Sequence, residues 1–152
     1  RLRRAEQEVA TVYGRIEVDV IWIEESAQAC TVSTPRSVIV ILLAGEMWKR
    51  HTSALGLRPR LLGHAVRAAE RTYLSWDQID DLGREISRDA GEILGLVIAH
   101  EVAHLLLPTD DHSSDGLMRA DLGLFAPGVH PHFDRREAES IRAHLIGGEP
   151  ER

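Results

Sequence analysis

The stretch from Ile93 to Leu107, ILGLVIAHEVAHLLL, contains only three polar residues: His100, Glu101 and His104. On a helix its apolar side chains would cover every side, and a helix apolar all round is a buried one. A buried polar group without a partner costs roughly 1–3 kcal/mol, and a charge costs more. The three polar residues therefore need partners. His100 and His104 fall one turn apart on one face. Two imidazoles at that spacing can reach a single ion at a Zn–N distance of about 2.0–2.1 Å. Glu101 is turned by about 100° from His100, so it flanks such an ion without competing for it. That is where a general base acting on water belongs. The blander alternative is a pair of hydrogen-bonded core histidines beside a surface glutamate. The complete H-E-x-x-H set on an otherwise apolar helix favours the metal site.

The limits of this helix are written in the sequence. Asp89 with Glu92 three positions later forms a capping pair at the start. Pro108 ends the helix and pushes Leu107 out of helical geometry. A second capped helix is expected near the C-terminus, in FDRREAESIRAHLIGG. There Asp134 caps, Glu137 is the third position, and Gly147 and Gly148 stop the helix.

The first half of the chain reads as α/β. Leu2, Ala5, Val9, Val12 and Tyr13 recur at helical spacing before Gly14, which predicts an amphipathic helix over 1–13. In RIEVDVIWIE the apolar residues Ile16, Val18, Val20 and Trp22 alternate with polar ones, as in a strand with one buried face. SVIVILL (37–43) is continuously apolar and rich in β-branched residues, as in a central strand buried on both faces. GEMWKRH is expected to form a short helix, and ALGLRPRLLG a loop broken by Gly56, Pro59 and Gly63. RTYLSW (71–76) has strand composition. Helix, strand, strand and long helix together imply a layered α/β (α+β) fold in one domain spanning 1–152.

Composition excludes several functions. The 152 residues carry a net charge of −6 with no basic stripe, and the basic RLRR start is a solvated helix start, so a nucleic-acid partner is not expected. No apolar run is long enough to span a membrane. Cys30 is the single cysteine, so an intrachain disulfide is impossible. The chain begins at Arg1 and not at a methionine. Its compartment is therefore not readable, and a secreted or periplasmic origin with the signal peptide absent is one expectation.

A catalytic zinc takes three protein ligands and a water. His112, eight residues after His104 in a turn-rich TDDHSSDG segment, is the leading third ligand because imidazole suits zinc. Asp110, Asp111 and Asp115 are alternatives. His51, His64, His130, His132 and His144 sit in polar or loop contexts and are expected at the surface, with His130 and His132 as candidates for the rim of a cleft.

In HEVAH, His112-Ser113 and Gly116-Leu117-Met118, the sequence resembles the metzincin metalloproteases, and most closely the bacterial matrixin-like ones. Their motif is H-E-x-x-H-x-x-G-x-x-H, followed by a tight turn with a methionine beneath the metal. The resemblance covers 100–118 specifically and the rest of the chain by order of elements. It implies His100, His104 and His112 as zinc ligands, Glu101 as the base and Met118 as the Met-turn residue. It further implies a fold with an N-terminal helix, a small mixed twisted sheet, a long active-site helix, a Met-turn and a C-terminal helix. Two departures are visible. The third histidine comes two residues late, and Pro108 lies near where the family's glycine should be, so the ligand loop must follow a different path. In gluzincins, another H-E-x-x-H clan, the third ligand is a glutamate on a later helix, which keeps Glu137 and Glu139 in view.

The expectation from this resemblance is a monomeric zinc endopeptidase acting on peptide or protein substrates, with RTYLSW as the cleft edge that pairs with an extended chain. Two alternatives stand beside it. One is a small metal-dependent RNA hydrolase resembling the bacterial rRNA-maturation enzymes. The other is a non-catalytic zinc-binding module derived from a protease. Lys and Arg around the cleft would mark the first; a closed four-ligand site would mark the second.

Overall fold

The structure, a computed structural model, describes residues 1–23, 37–58, 60–121 and 130–147. Glu24, Cys30, Pro59 and Gly148, which fall in segments discussed above, lie outside the described residues. The fold is α+β. Among the described residues it comprises helices α1 (Leu2–Gly14), α2 (Gly45–Ala54), α3 (Trp76–Glu85), α4 (Ala90–Leu106) and α5 (Arg135–Gly147), with strands β1 (Ile39–Leu43), β2 (Gly63–Val66) and β3 (Arg71–Ser75). No described helix is long and apolar enough to cross a membrane.

Helix α4 is the centre of the molecule. Fourteen of its residues are buried, from Gly91 through Leu106, as its all-round apolar sequence requires. Asp89 caps it by accepting the Glu92 backbone N–H at 3.0 Å. On one side α1 packs against α4, burying Ala5, Val9, Val12 and Tyr13. The two helices touch backbone to backbone: a Cβ on Gly95 would lie 2.6 Å from Glu8 Cβ and 2.7 Å from the Ala5 carbonyl oxygen. Tyr13, fully inside, donates its hydroxyl to the Ala99 carbonyl at 3.0 Å.

The sheet lies against another side of α4. Its order is β1–β3–β2, with β1 parallel and β2 antiparallel to β3. This arrangement corrects three expectations. SVIVILL supplies β1 at an edge among the described strands, not at the centre, and Ile39 is exposed. RTYLSW supplies β3, the central strand, hydrogen-bonded on both sides, so it cannot be the cleft edge. The other edge strand is β2, which begins at the last residue of the segment expected to be a loop, so Gly63 opens a strand and is not a breaker. RIEVDVIWIE differs as well: no strand forms over 16–23. Ile16 is buried and Val18 and Val20 pack on the core, so the inward alternation survives. No described strand pairs with them, Glu17 takes a positive φ of 60° that breaks the pleat, and Trp22 is exposed.

Helix α3 was not anticipated, yet its start carries a signal. Ser75-Trp76-Asp77-Gln78 has capping-box spacing, and the Gln78 backbone N–H donates to Ser75 Oγ at 3.3 Å. The C-terminal α5 is capped reciprocally, as its sequence suggests. The Glu137 N–H donates to Asp134 Oδ1, and the Asp134 N–H to Glu137 Oε2, both at 2.8 Å.

Candidate metal centre

His100, Glu101 and His104 are all buried in the last turns of α4, at 5%, 7% and 8% exposure. Each finds a distinct environment. His100 Nδ1 lies 2.8 Å from the Leu117 carbonyl oxygen. A carbonyl only accepts, so Nδ1 carries the proton and Nε2 presents its lone pair. That Nε2 is 3.0 Å from His104 Nε2. Burial lowers the proton affinity of both rings, His100 to about 4, with the neighbouring imidazoles adding to the effect. Both are therefore neutral near pH 7, the form a metal requires.

His112 completes the group. Its ring is 5.3 Å from that of His100 and 5.0 Å from that of His104, centroid to centroid. One ligand atom from each of the three histidines lies within 4.8 Å of the other two. His104 Nδ1 is buried with no hydrogen-bond partner. Three imidazoles crowded together with no acid among them suit a borderline transition-metal cation. The cluster can hold a metal ion.

The turn after His112 fixes His100 from behind. The Ser113 N–H donates to the Met118 carbonyl at 2.9 Å, and Gly116 takes a φ of +74°. Glycine is needed there for two reasons, since a Cβ would also lie 2.7 Å from the His132 carbonyl oxygen. Leu117 and Met118 are both fully buried. Ser113 Oγ donates to Glu137 Oε1, which ties the turn to the start of α5.

Glu101 reaches towards β2 and is not one of the three clustered ligands. Burial pushes its carboxyl up to about 8, offset in part by a hydrogen bond from the Ala65 backbone. It fits only because residue 63 is glycine: a Cβ there would lie 2.7 Å from Glu101 Cγ. Glu101, His104, Asp110 and His112 line one side of a cleft of about 260 Å³, and Leu61 with Gly63, His64 and Ala65 of β2 lines the other.

The remaining candidates go elsewhere. Asp110 pairs with Arg67 Nη2 at 2.7 Å, Asp115 caps the Gly116 N–H at 2.8 Å, and Glu139 pairs with Arg135 at 2.9 Å. Glu137 holds Ser113 and the α5 cap. His130 is not at the cleft rim; its Nδ1 is 3.0 Å from Glu8, on α1. Glu8, Glu92 and His130 form a second close grouping, in which Arg88 Nη2 lies 2.6 Å from Glu92 and His130 Nδ1 3.0 Å from Glu8, so both carboxyls already have partners within the protein. His132 borders a separate hollow beside Ser113 and Gly116. His64 is not a plain surface residue: it lines the cleft, and His51 stacks on Tyr73 at 4.2 Å close to it. Sequence reasoning missed Gly63, Ala65 and Arg67, because β2 is only four residues long and begins with a residue that usually breaks strands.

No family model matches this chain, and no curated protein and no solved structure is significantly similar to it.

Proposed function

We propose that this chain is a zinc-dependent endopeptidase of metzincin type. The observation that carries the reading is the convergence of three imidazoles next to a buried carboxyl that is not one of their number, with two of the imidazoles and the carboxyl lining one cleft. His100, His104 and His112 would hold the ion, and three imidazoles with an open position are a catalytic zinc set. Zinc bound there supplies Lewis acidity and makes water a nucleophile near neutral pH. A cation held beside Glu101 would favour its ionised form, and in that form Glu101 takes the proton from water as the water oxygen adds to the peptide carbonyl carbon. It then delivers that proton to the departing amine as the C–N bond breaks.

The peptide class of substrate is supported by β2. This strand pairs with β3 on one side, and its other side borders the cleft. An extended peptide can add to such an edge through backbone hydrogen bonds. An RNA substrate is less well supported: the cleft lining contains an aspartate and neither lysine nor arginine. A purely structural zinc would want a fourth protein ligand, and Asp110, the acid nearest that role, is paired with Arg67.

The test is metal analysis of the purified protein together with cleavage of casein and a peptide library. The expected result is one zinc per chain and cleavage that a chelator abolishes. A zinc-loaded protein that cuts no peptide, or a cleaving protein that carries no metal, would refute the reading.

A further inference from the structure

We infer that Arg67 is a positioning residue for His112: its guanidinium bridges the end of α4 to the loop that brings His112 back to His100 and His104. The inference rests on the metal-centre reading and extends it to the problem raised by Pro108. Helix α4 ends at Leu106, and its C-cap Leu107 is extended, with φ −83° and ψ 151°. Proline follows, so a left-handed glycine turn is not available to reverse the chain. The last carbonyls of a helix also lack partners within it. Arg67 answers both needs. Its Nη1 donates to the Leu107 carbonyl and reaches the Leu105 carbonyl at 3.5 Å, while its Nη2 holds Asp110 Oδ1 at 2.7 Å.

The fork is planar, so its two ends fix the helix terminus and Asp110 relative to each other. Asp110 is two residues before His112. Arg67 in turn projects from the 3-10 turn directly after β2, where Val66 is registered against Arg71 of the central strand. The loop is thereby referenced to the sheet that forms the other wall of the cleft. His112 has particular need of this, because it is exposed and its ring contacts are with the two histidines it must join.

An ordinary surface ion pair would account for the Arg67–Asp110 contact equally well, since the two side chains are 42% and 82% exposed. Such exposed pairs add little to stability. The two readings diverge at the metal. Outer residues that orient ligands typically change metal affinity by about 10–100-fold, whereas a decorative pair changes nothing there.

The experiment loads wild type, Arg67→Ala, Arg67→Lys, Asp110→Asn and His112→Ala with Co²⁺, recording visible spectra and retention against a competing chelator. Melting of the metal-free proteins is measured alongside. Arg67→Ala is expected to retain the metal about 10–100-fold less well, with a spectrum moved towards that of His112→Ala. Arg67→Lys keeps the charge but not the fork and should resemble Arg67→Ala. Asp110→Asn should fall between Arg67→Ala and wild type, and it decides the matter if Arg67→Ala does not fold. Wild-type spectrum and retention in Arg67→Ala would overturn this inference alone. A wild-type protein that takes up no Co²⁺ would overturn the metal-centre reading and this inference with it.

Discussion

His100 Nδ1 lies 2.8 Å from the carbonyl oxygen of Leu117, so the first histidine of the motif is oriented by the turn that follows the third. This bond turns the Nε2 lone pair towards His104 and His112. Replacing His100 or His104 with alanine should remove most of the metal. A ligand that binds only the folded state stabilises it by about 2.7 kcal/mol at a hundredfold excess over its Kd. The zinc-dependent rise in melting temperature should therefore vanish in both variants. Full metal occupancy in both, measured by elemental analysis, would sink the assignment.

The same turn makes Met118 a sensitive position. It is fully buried, and its carbonyl accepts the Ser113 N–H directly after His112. Met118→Leu conserves volume and should cost less than about 1.5 kcal/mol. Met118→Ala leaves a cavity and should cost about 2–5 kcal/mol. Denaturant unfolding of the metal-free proteins measures both. Equal stability of the two variants would show that Met118 is not packed as described.

Glu101 gives a prediction that needs neither metal nor substrate. Burial raises its folded-state pKa to about 8, above the ordinary 4.5. A carboxyl raised in this way contributes stability that is fully present below about pH 4.5 and is lost as pH rises through 8. Glutamine has no proton to lose. Metal-free Glu101→Gln should therefore match wild type near pH 4.5, gain on it as pH rises to about 8 and hold that gain above, by at least about 4 °C in Tm. The lowered His100 ionisation acts in the opposite sense but is common to both proteins, so it cancels in the comparison. A difference that is flat across this range would contradict the buried, protonated carboxyl. In the metal-loaded enzyme the same variant should keep its zinc and lose activity by a factor on the order of 10².

What could be read in advance followed from local physics. Helix α4 and its caps were legible because an all-apolar run bounded by Asp89 and Pro108 leaves little choice. The H-E-x-x-H set was legible because three polar residues in that run required a reason. The sheet was not legible, since strand order is set by non-local pairing. SVIVILL has the apolar run of a central strand and lies at the edge; RTYLSW has one polar side and lies in the centre. RIEVDVIWIE alternates like a strand yet has no described partner to pair with. The long-range parts of the site, Gly63 opposite Glu101 and Arg67 opposite Leu107, depend on that same pairing.

Gly63 offers the sharpest separation of base from ligands. A Cβ at this position would meet Glu101 at three atoms: Cγ at 2.7 Å, Oε1 at 2.8 Å and Cδ at 2.9 Å. The backbone of β2 is held in register against Leu74 and the strand beyond it, so the strand cannot easily retreat. The Glu101 side chain must therefore move. His100 and His104 are held by each other, and His100 by Leu117, while the nearest atoms to a Cβ at residue 63 all belong to Glu101, so the imidazole cluster is expected to stay in place. Gly63→Ala should accordingly bind zinc as wild type does, within a factor of about 3, while peptide cleavage falls at least tenfold; misplacing a catalytic group by about 1 Å costs on this order or more. The loss should appear in kcat more than in KM, because the cleft wall itself is unchanged in position. Metal titration and steady-state kinetics on one preparation decide it. Full activity in Gly63→Ala would mean that Glu101 is not the base, and loss of zinc without a fold defect would mean that Glu101 is coupled to the ligands.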